Sequence, residues 1–251
     1  MAELNPFTVE YFNQELAFYC PKPYEKNGLK LELKLITGCA RMDDFFSVRL
    51  VGPGDLTAIP ILSLDGHLWM SITPMELQSA WVAIRRFSGH VVTAGLGMGY
   101  IALRLAAKED ITKVMVYERD ERVVEFFLET QAGRPELDKI DIIQCEDART
   151  AFKGVDCDWV FMDLYDTLLP NEAIEDVALF TGQNTIRQEY RFWGQEKALL
   201  ELVRNQEVWP LIDDDEEDLI QYFMQSDGSR MYQVVYDTAY CESVAEQLQR
   251  I

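Results

Sequence analysis

Three glycines alternate in Thr93-Ala94-Gly95-Leu96-Gly97-Met98-Gly99-Tyr100, directly after an apolar run and directly before a helix-like one. Glycine opens backbone angles closed to residues with a Cβ, so a strand can turn sharply there into a helix. The missing side chains also let a ligand press against the main chain. The helix start adds unpaired N–H groups and a partial positive charge. About one strand–helix–strand unit later, Glu118 ends the run Val114-Met115-Val116-Tyr117. A carboxylate in that place accepts hydrogen bonds from ribose hydroxyls, each worth roughly 1.5–3 kcal/mol. Two more acidic segments follow, Glu146-Asp147-Ala148 and Asp163-Leu164-Tyr165-Asp166. Asp163 and Asp166 are able to anchor an ammonium group or take the proton of a nucleophilic amine, which contributes roughly 10²–10⁴-fold to a rate. Tyr165 between them shields or stacks on a substrate. Together these residues would suit an adenosine-type ligand and group transfer, for which alignment alone supplies roughly 7–11 kcal/mol.

The elements that must position these residues alternate strand with helix. Residues 90–94 read as a first parallel strand and 101–108 as its crossover helix. A strand at 113–117 and a helix at 120–130 follow, the helix with Val123, Val124, Phe127 and Leu128 facing inward. Residues 140–144 and 158–162 read as a third and a fourth strand, so the acids collect at the carboxyl ends of the strands, where such sheets bind ligands. The alternation predicts right-handed crossovers and an α/β, Rossmann-like, doubly wound sheet. Upstream, residues 1–28 read as an arm with a short helix at 9–18. Runs at 29–36, 45–51, 56–64 and 67–71 read as a small antiparallel β-unit, with Asp65-Gly66 as a hairpin turn. Thr73-Pro74-Met75-Glu76 is a helix start, with a threonine cap, a proline in the first position and Glu76 closing a capping box. Leu77, Ala80, Ile84 and Phe87 then recur at helical spacing. The expected division is an N-terminal arm and β-unit at 1–72 and a ligand-binding domain at 73–251, atypical from about residue 170. There the pattern predicts helices at 173–179 and 188–204, a strand at 231–236 and a helix at 243–250. No fifth strand is apparent before the long helical stretch. Phe192-Trp193-Gly194 reads as packing or as a lid.

The dinucleotide fingerprint wants a glycine where Tyr100 stands. The spacing Gly95-x-Gly97-x-Gly99 with Glu118 downstream instead resembles the first motif of class I S-adenosylmethionine-dependent transferases, over residues 62–166. The resemblance implies that Gly95, Gly97, Gly99, Glu118, Asp147, Ala148 and Asp163 hold S-adenosylmethionine, with Asp147 on the adenine amino group. It also implies that Asp163, Tyr165 and Asp166 serve the acceptor. Within that superfamily, the order Leu64-Asp65-Gly66, helix from Thr73, glycine loop, Glu118, Asp147, Asp163-x-x-Asp166 is similar to the spermidine synthase-like aminopropyltransferases. That branch implies a small N-terminal β-unit, decarboxylated S-adenosylmethionine as donor, and dimers. The chain departs from it in having Trp69 for a glutamine, Gln78-Ser79 for a Tyr-His pair, Met98 for the loop aspartate and Thr167 for a proline.

Bulk properties narrow the partners. At 251 residues, 48% apolar, the chain holds a full α/β core. Its formal net charge of −20 disfavours a nucleic-acid substrate, which needs cations to displace phosphate counterions. An acidic surface draws in cations over roughly 8 Å. Five scattered cysteines and two histidines offer neither a disulfide framework nor a histidine-rich metal site, and the expected place is the cytoplasm. No run is long enough to span a membrane. The expected partner is a small-molecule or protein acceptor. Methyl transfer from S-adenosylmethionine leads by base rate. Aminopropyl transfer and an inactive, acidic interaction protein are the alternatives.

Overall fold

A computed structural model describes residues 9–34, 58–165 and 172–193. The expected strands at 45–51 and 231–236, the helix at 243–250, Asp166 and Gly194 lie outside these residues. Helix α1 (Val9–Tyr19) leads into β1 (Tyr24–Lys26) and β2 (Leu29–Lys34). The segment up to residue 28 is therefore not only an arm. Asn27 and Gly28 both have positive φ, 52° and 81°, which is the two-residue turn that matches strand twist. The expected turn at Asp65-Gly66 forms in the same way, with φ of 50° and 82°, and joins β3 (Ile59–Leu64) to β4 (His67–Ser71). The four strands make one antiparallel sheet in the order β1-β2-β3-β4.

Helix α2 (Pro74–Arg86) starts as read, with Thr73 Oγ1 accepting from the Glu76 amide at 3.4 Å. A second sheet is built from β5 (Gly89–Ala94), β6 (Ile111–Glu118), β7 (Ile140–Gln144), β8 (Asp156–Met162) and β9 (Thr185–Phe192). All its pairings are parallel, in the order β7-β6-β5-β8-β9. Helices α3 (Tyr100–Ala106) and α4 (Glu121–Thr130) cover one face, sharing a core with α1, α2 and the small sheet. The short α5 (Ala148–Ala151) and α6 (Glu172–Gln183) cover the other, around Phe152, Val177 and Phe180. This is the doubly wound, Rossmann-like α/β arrangement, and its crossover direction reverses between β5 and β8.

Two expectations fail. Residues 188–192 belong to a strand, and β9 is the fifth strand that the sequence hid. Its charged residues explain this: Glu189 and Arg191 face inward, 3% and 0% exposed, and pair with each other at 3.3 Å. In α4, Leu128 points outward at 48% exposure and Phe126 takes the inward place. Helix α1 is seated on the glycine loop. The Tyr19 hydroxyl donates to the Met98 carbonyl at 2.9 Å. Buried Glu15 accepts from the Tyr100 hydroxyl at 2.7 Å and from the Arg104 guanidinium at 2.6 Å. Phe18 lies under the Arg104 and Arg134 guanidinium groups.

Candidate active site

A crevice of about 660 Å³ opens where the winding reverses, at the carboxyl ends of β5, β6 and β8. The loop after β5 forms its floor, and its three glycines serve three purposes. A Cβ at Gly95 would collide with the Asp163 carbonyl, because the β5 and β8 tips are stitched together by the Asp163 amide donating to the Ala94 carbonyl at 2.8 Å. A Cβ at Gly99 would enter the Phe127 ring, so this glycine lets α3 pack against α4. Only Gly97 keeps its bare face toward the crevice, and there the flexible end of Met70 rests, its sulfur 2.8 Å from where a Cβ would lie. The cradle thus fits a ligand that displaces a movable side chain.

Glu118, 5% exposed, ends β6 beside this loop. Its Oε2 accepts from the Leu96 amide at 2.9 Å, and its Oε1 accepts from the Arg119 and Asp120 amides at 2.7 and 2.8 Å. A carboxylate has about four acceptor sites, so roughly one is left for a ribose hydroxyl. Glu118 both holds the loop to the strand and keeps a place for a ligand. Asp147 caps α5 through Oδ1, which accepts from the Arg149 amide at 2.8 Å; no hydrogen bond to its Oδ2 is seen among the described residues. Asp147 and Ala148 both line the crevice. Capping and ligand binding are therefore compatible at this residue.

Asp163 opens the loop after β8, at the tip stitched to β5, and faces Glu76 from the first turn of α2. Both line the crevice and also a small cavity of about 20 Å³ beneath it, beside Gly95 and Gly99. Burial, reinforced by the Asp163 charge, pushes the Glu76 carboxyl up to about 8. Burial and the Glu118 charge push Asp163 up to about 7. Among the described residues no arginine or lysine lines the small cavity, whereas Arg119 and Arg149 line the outer crevice. The capping box is only half formed: the Thr73 hydroxyl is used, while the Glu76 carboxylate makes no hydrogen bond to Thr73 among the described residues. Sequence reasoning missed Glu76 as a site residue because its local role as a cap residue accounted for it.

Tyr165 lines the crevice, and its hydroxyl donates to Asp176 on α6 at 3.0 Å. Burial and the Asp176 charge raise that hydroxyl far above its ordinary range. Trp69 and Leu68 from β4 stand exposed at the mouth, and Trp193 lines the wall, its indole N–H donating to Ser79 Oγ at 2.9 Å. Phe192 is fully buried in the sheet and is packing. His67 is exposed and does not line the crevice. The structure therefore brings together Gly95, Gly97, Glu118, Asp147, Ala148, Asp163 and Tyr165, with Gly99 on the small cavity below.

No family model matches the chain, and no curated protein matches its sequence. Among solved structures, a spermidine synthase from Thermotoga maritima is similar at 12% identity and a TM-score of 0.40, over 65% of this chain and 53% of that one. A precorrin 8w decarboxylase of Methanobacterium thermoautotrophicum is similar at 19% identity and a TM-score of 0.36, over 45% and 59%. A glycopeptide N-methyltransferase complexed with S-adenosyl-L-methionine is similar at 16% identity and a TM-score of 0.36, over 45% and 51%. The chain matches little more than half the length of each of these proteins. The fold class rests on the chain's own strand order: a doubly wound, Rossmann-like α/β sheet preceded by a small antiparallel sheet.

Proposed function

We propose that the chain is an S-adenosylmethionine-dependent transferase whose donor lies in the crevice over Gly95 and Gly97. The observation that carries this reading is Glu118, a buried carboxylate bonded to the glycine-loop amide of Leu96 and still lining the crevice. Glu118 takes a ribose hydroxyl, Asp147 takes the adenine amino group through Oδ2, and Ala148 leaves room for the base. Asp163 and Glu76 hold the amino end of the donor or receive the proton of an amine acceptor. Asp166, expected from the sequence to serve the acceptor, lies outside the described residues. The bound sulfonium supplies an electrophilic carbon; the protein's part is to align the acceptor and to shield the site from water. Methyl transfer to a small molecule or a protein side chain is the leading reaction.

A second reading, aminopropyl transfer from decarboxylated S-adenosylmethionine to a polyamine, is favoured by one feature. Among the described residues the small cavity is lined by two carboxylates and by no cation, which suits a donor that has an ammonium group but no carboxylate.

The test is to incubate the chain with each sulfonium donor and with candidate amine and protein acceptors, and to identify the nucleoside released. S-adenosylhomocysteine marks methyl transfer; methylthioadenosine above a no-acceptor control marks aminopropyl transfer. In calorimetry Glu118→Ala should weaken S-adenosylhomocysteine binding about tenfold or more, the loss expected for a hydrogen bond to a charged group. Unchanged affinity would refute this placement of the ribose. No uptake of any adenosyl ligand would leave an inactive, acidic interaction protein on the same fold.

A further inference from the structure

Asp176 lies within α6, 2% exposed, behind the crevice wall. Its Oδ1 accepts from Arg149 Nε at 2.6 Å, and its Oδ2 accepts from Arg149 Nη2 at 2.7 Å and from the Tyr165 hydroxyl at 3.0 Å. Arg149 follows Asp147 by two residues and Tyr165 follows Asp163 by two. Both residues line the crevice. One buried carboxylate thus reaches two different loops at the carboxyl edge of the sheet: the one after β7, which carries Arg149 on its single helical turn α5, and the one after β8. The paired N–H bonds from Arg149 fix the plane of its guanidinium as well as its position. The Tyr165 ring meets Phe192 edge-on at 6.5 Å, so its apolar part is held by β9 and its hydroxyl by α6. Without the carboxylate, a partly buried guanidinium and a mostly buried hydroxyl would both lose their acceptor, and both side chains would have to move.

We propose that Asp176 is a positioning residue that ties the loop after β7 to the loop after β8, so that one buried carboxylate sets both ends of the ligand crevice. The proposal rests on the reading of this crevice as the adenosyl seat. It assigns Tyr165 to the wall of the site: its hydroxyl proton is committed to Asp176. The contacts are contiguous and partly buried, with the shared carboxylate itself shielded from water, and such a continuous network is what physical coupling between two loops uses.

Hydrogen exchange and S-adenosylhomocysteine titration on the full chain test this with wild type, Asp176→Asn and Phe180→Leu. Phe180 is fully buried on the same helix, so its shortening loosens α6 while leaving the carboxylate in place. Asp176→Asn should speed exchange about tenfold in both 145–150 and 163–165 and weaken S-adenosylhomocysteine about tenfold, as the loss of a charged acceptor predicts. Phe180→Leu should lower the melting temperature yet leave both loops and the affinity near wild type. Loss of protection in one loop only, or equal loss in Phe180→Leu, overturns the proposal. If the wild-type chain takes up no S-adenosylhomocysteine, the adenosyl reading falls, and the exchange pattern still decides whether Asp176 joins the two loops.

Discussion

At the scale of single residues, the crevice is governed by carboxylates that water does not fully reach. Glu76 and Asp163 are both held above the ordinary carboxylate range, so folding favours their protonated forms. Between about pH 4, the ordinary value, and about pH 7–8, the native chain binds more protons than the unfolded one. Stability contributed by this pair therefore falls as pH rises through that window. Glu76→Gln removes one of the two titrations. Its melting temperature should match wild type near pH 4 and exceed it at pH 8, read by thermal scans across that range. A difference that does not change with pH would show that Glu76 titrates normally. The same variant should bind a sulfonium donor more weakly above pH 8, where the wild-type carboxylate is increasingly ionised. Glu118 and Asp163 were legible in the sequence because each ends an apolar run beside a glycine loop. Glu76 was not, because a glutamate three residues after a threonine already has a local explanation.

At the scale of elements, the tight connection between β5 and α3 is demanded by the protein's own packing before any ligand arrives. Gly95 has a φ of 88° and sits against the Asp163 carbonyl. Gly95→Ala meets both the cost of a left-handed backbone, roughly 1–2 kcal/mol, and a collision with main chain that cannot turn aside. It should destabilise the fold by about 2 kcal/mol or more in urea unfolding, and part the β5 and β8 tips. A neutral result would mean that the loop relaxes freely. The alternation of strand and helix from residue 89 to 162 was readable because those strands are nearly continuous apolar runs. Strand β9 escaped because its glutamate and arginine neutralise one another inside the fold, so its pattern of charge imitates an exposed helix. Strand β1 escaped because three residues carry too little periodicity, although Asn27-Gly28 marked its turn.

At the scale of the whole molecule, the N-terminal segment is part of the site's foundation. Helix α1 reaches the glycine loop through Tyr19 and reaches α3 through Glu15. Glu15→Ala leaves the Arg104 guanidinium, a fifth exposed, without its carboxylate. The loss should be about 2–3 kcal/mol in chemical denaturation, below that of a fully buried pair because water reaches the arginine. A loss under about 0.5 kcal/mol would place α1 among ordinary surface helices. The small sheet contributes from the opposite side: β4 carries Met70, whose thioether already lies on the open face of Gly97. A nucleoside bound as proposed would have to turn that tenant out. Met70→Ala should then tighten S-adenosylhomocysteine binding severalfold in calorimetry, because that face no longer has to be vacated first; unchanged affinity would show that the thioether leaves at no cost.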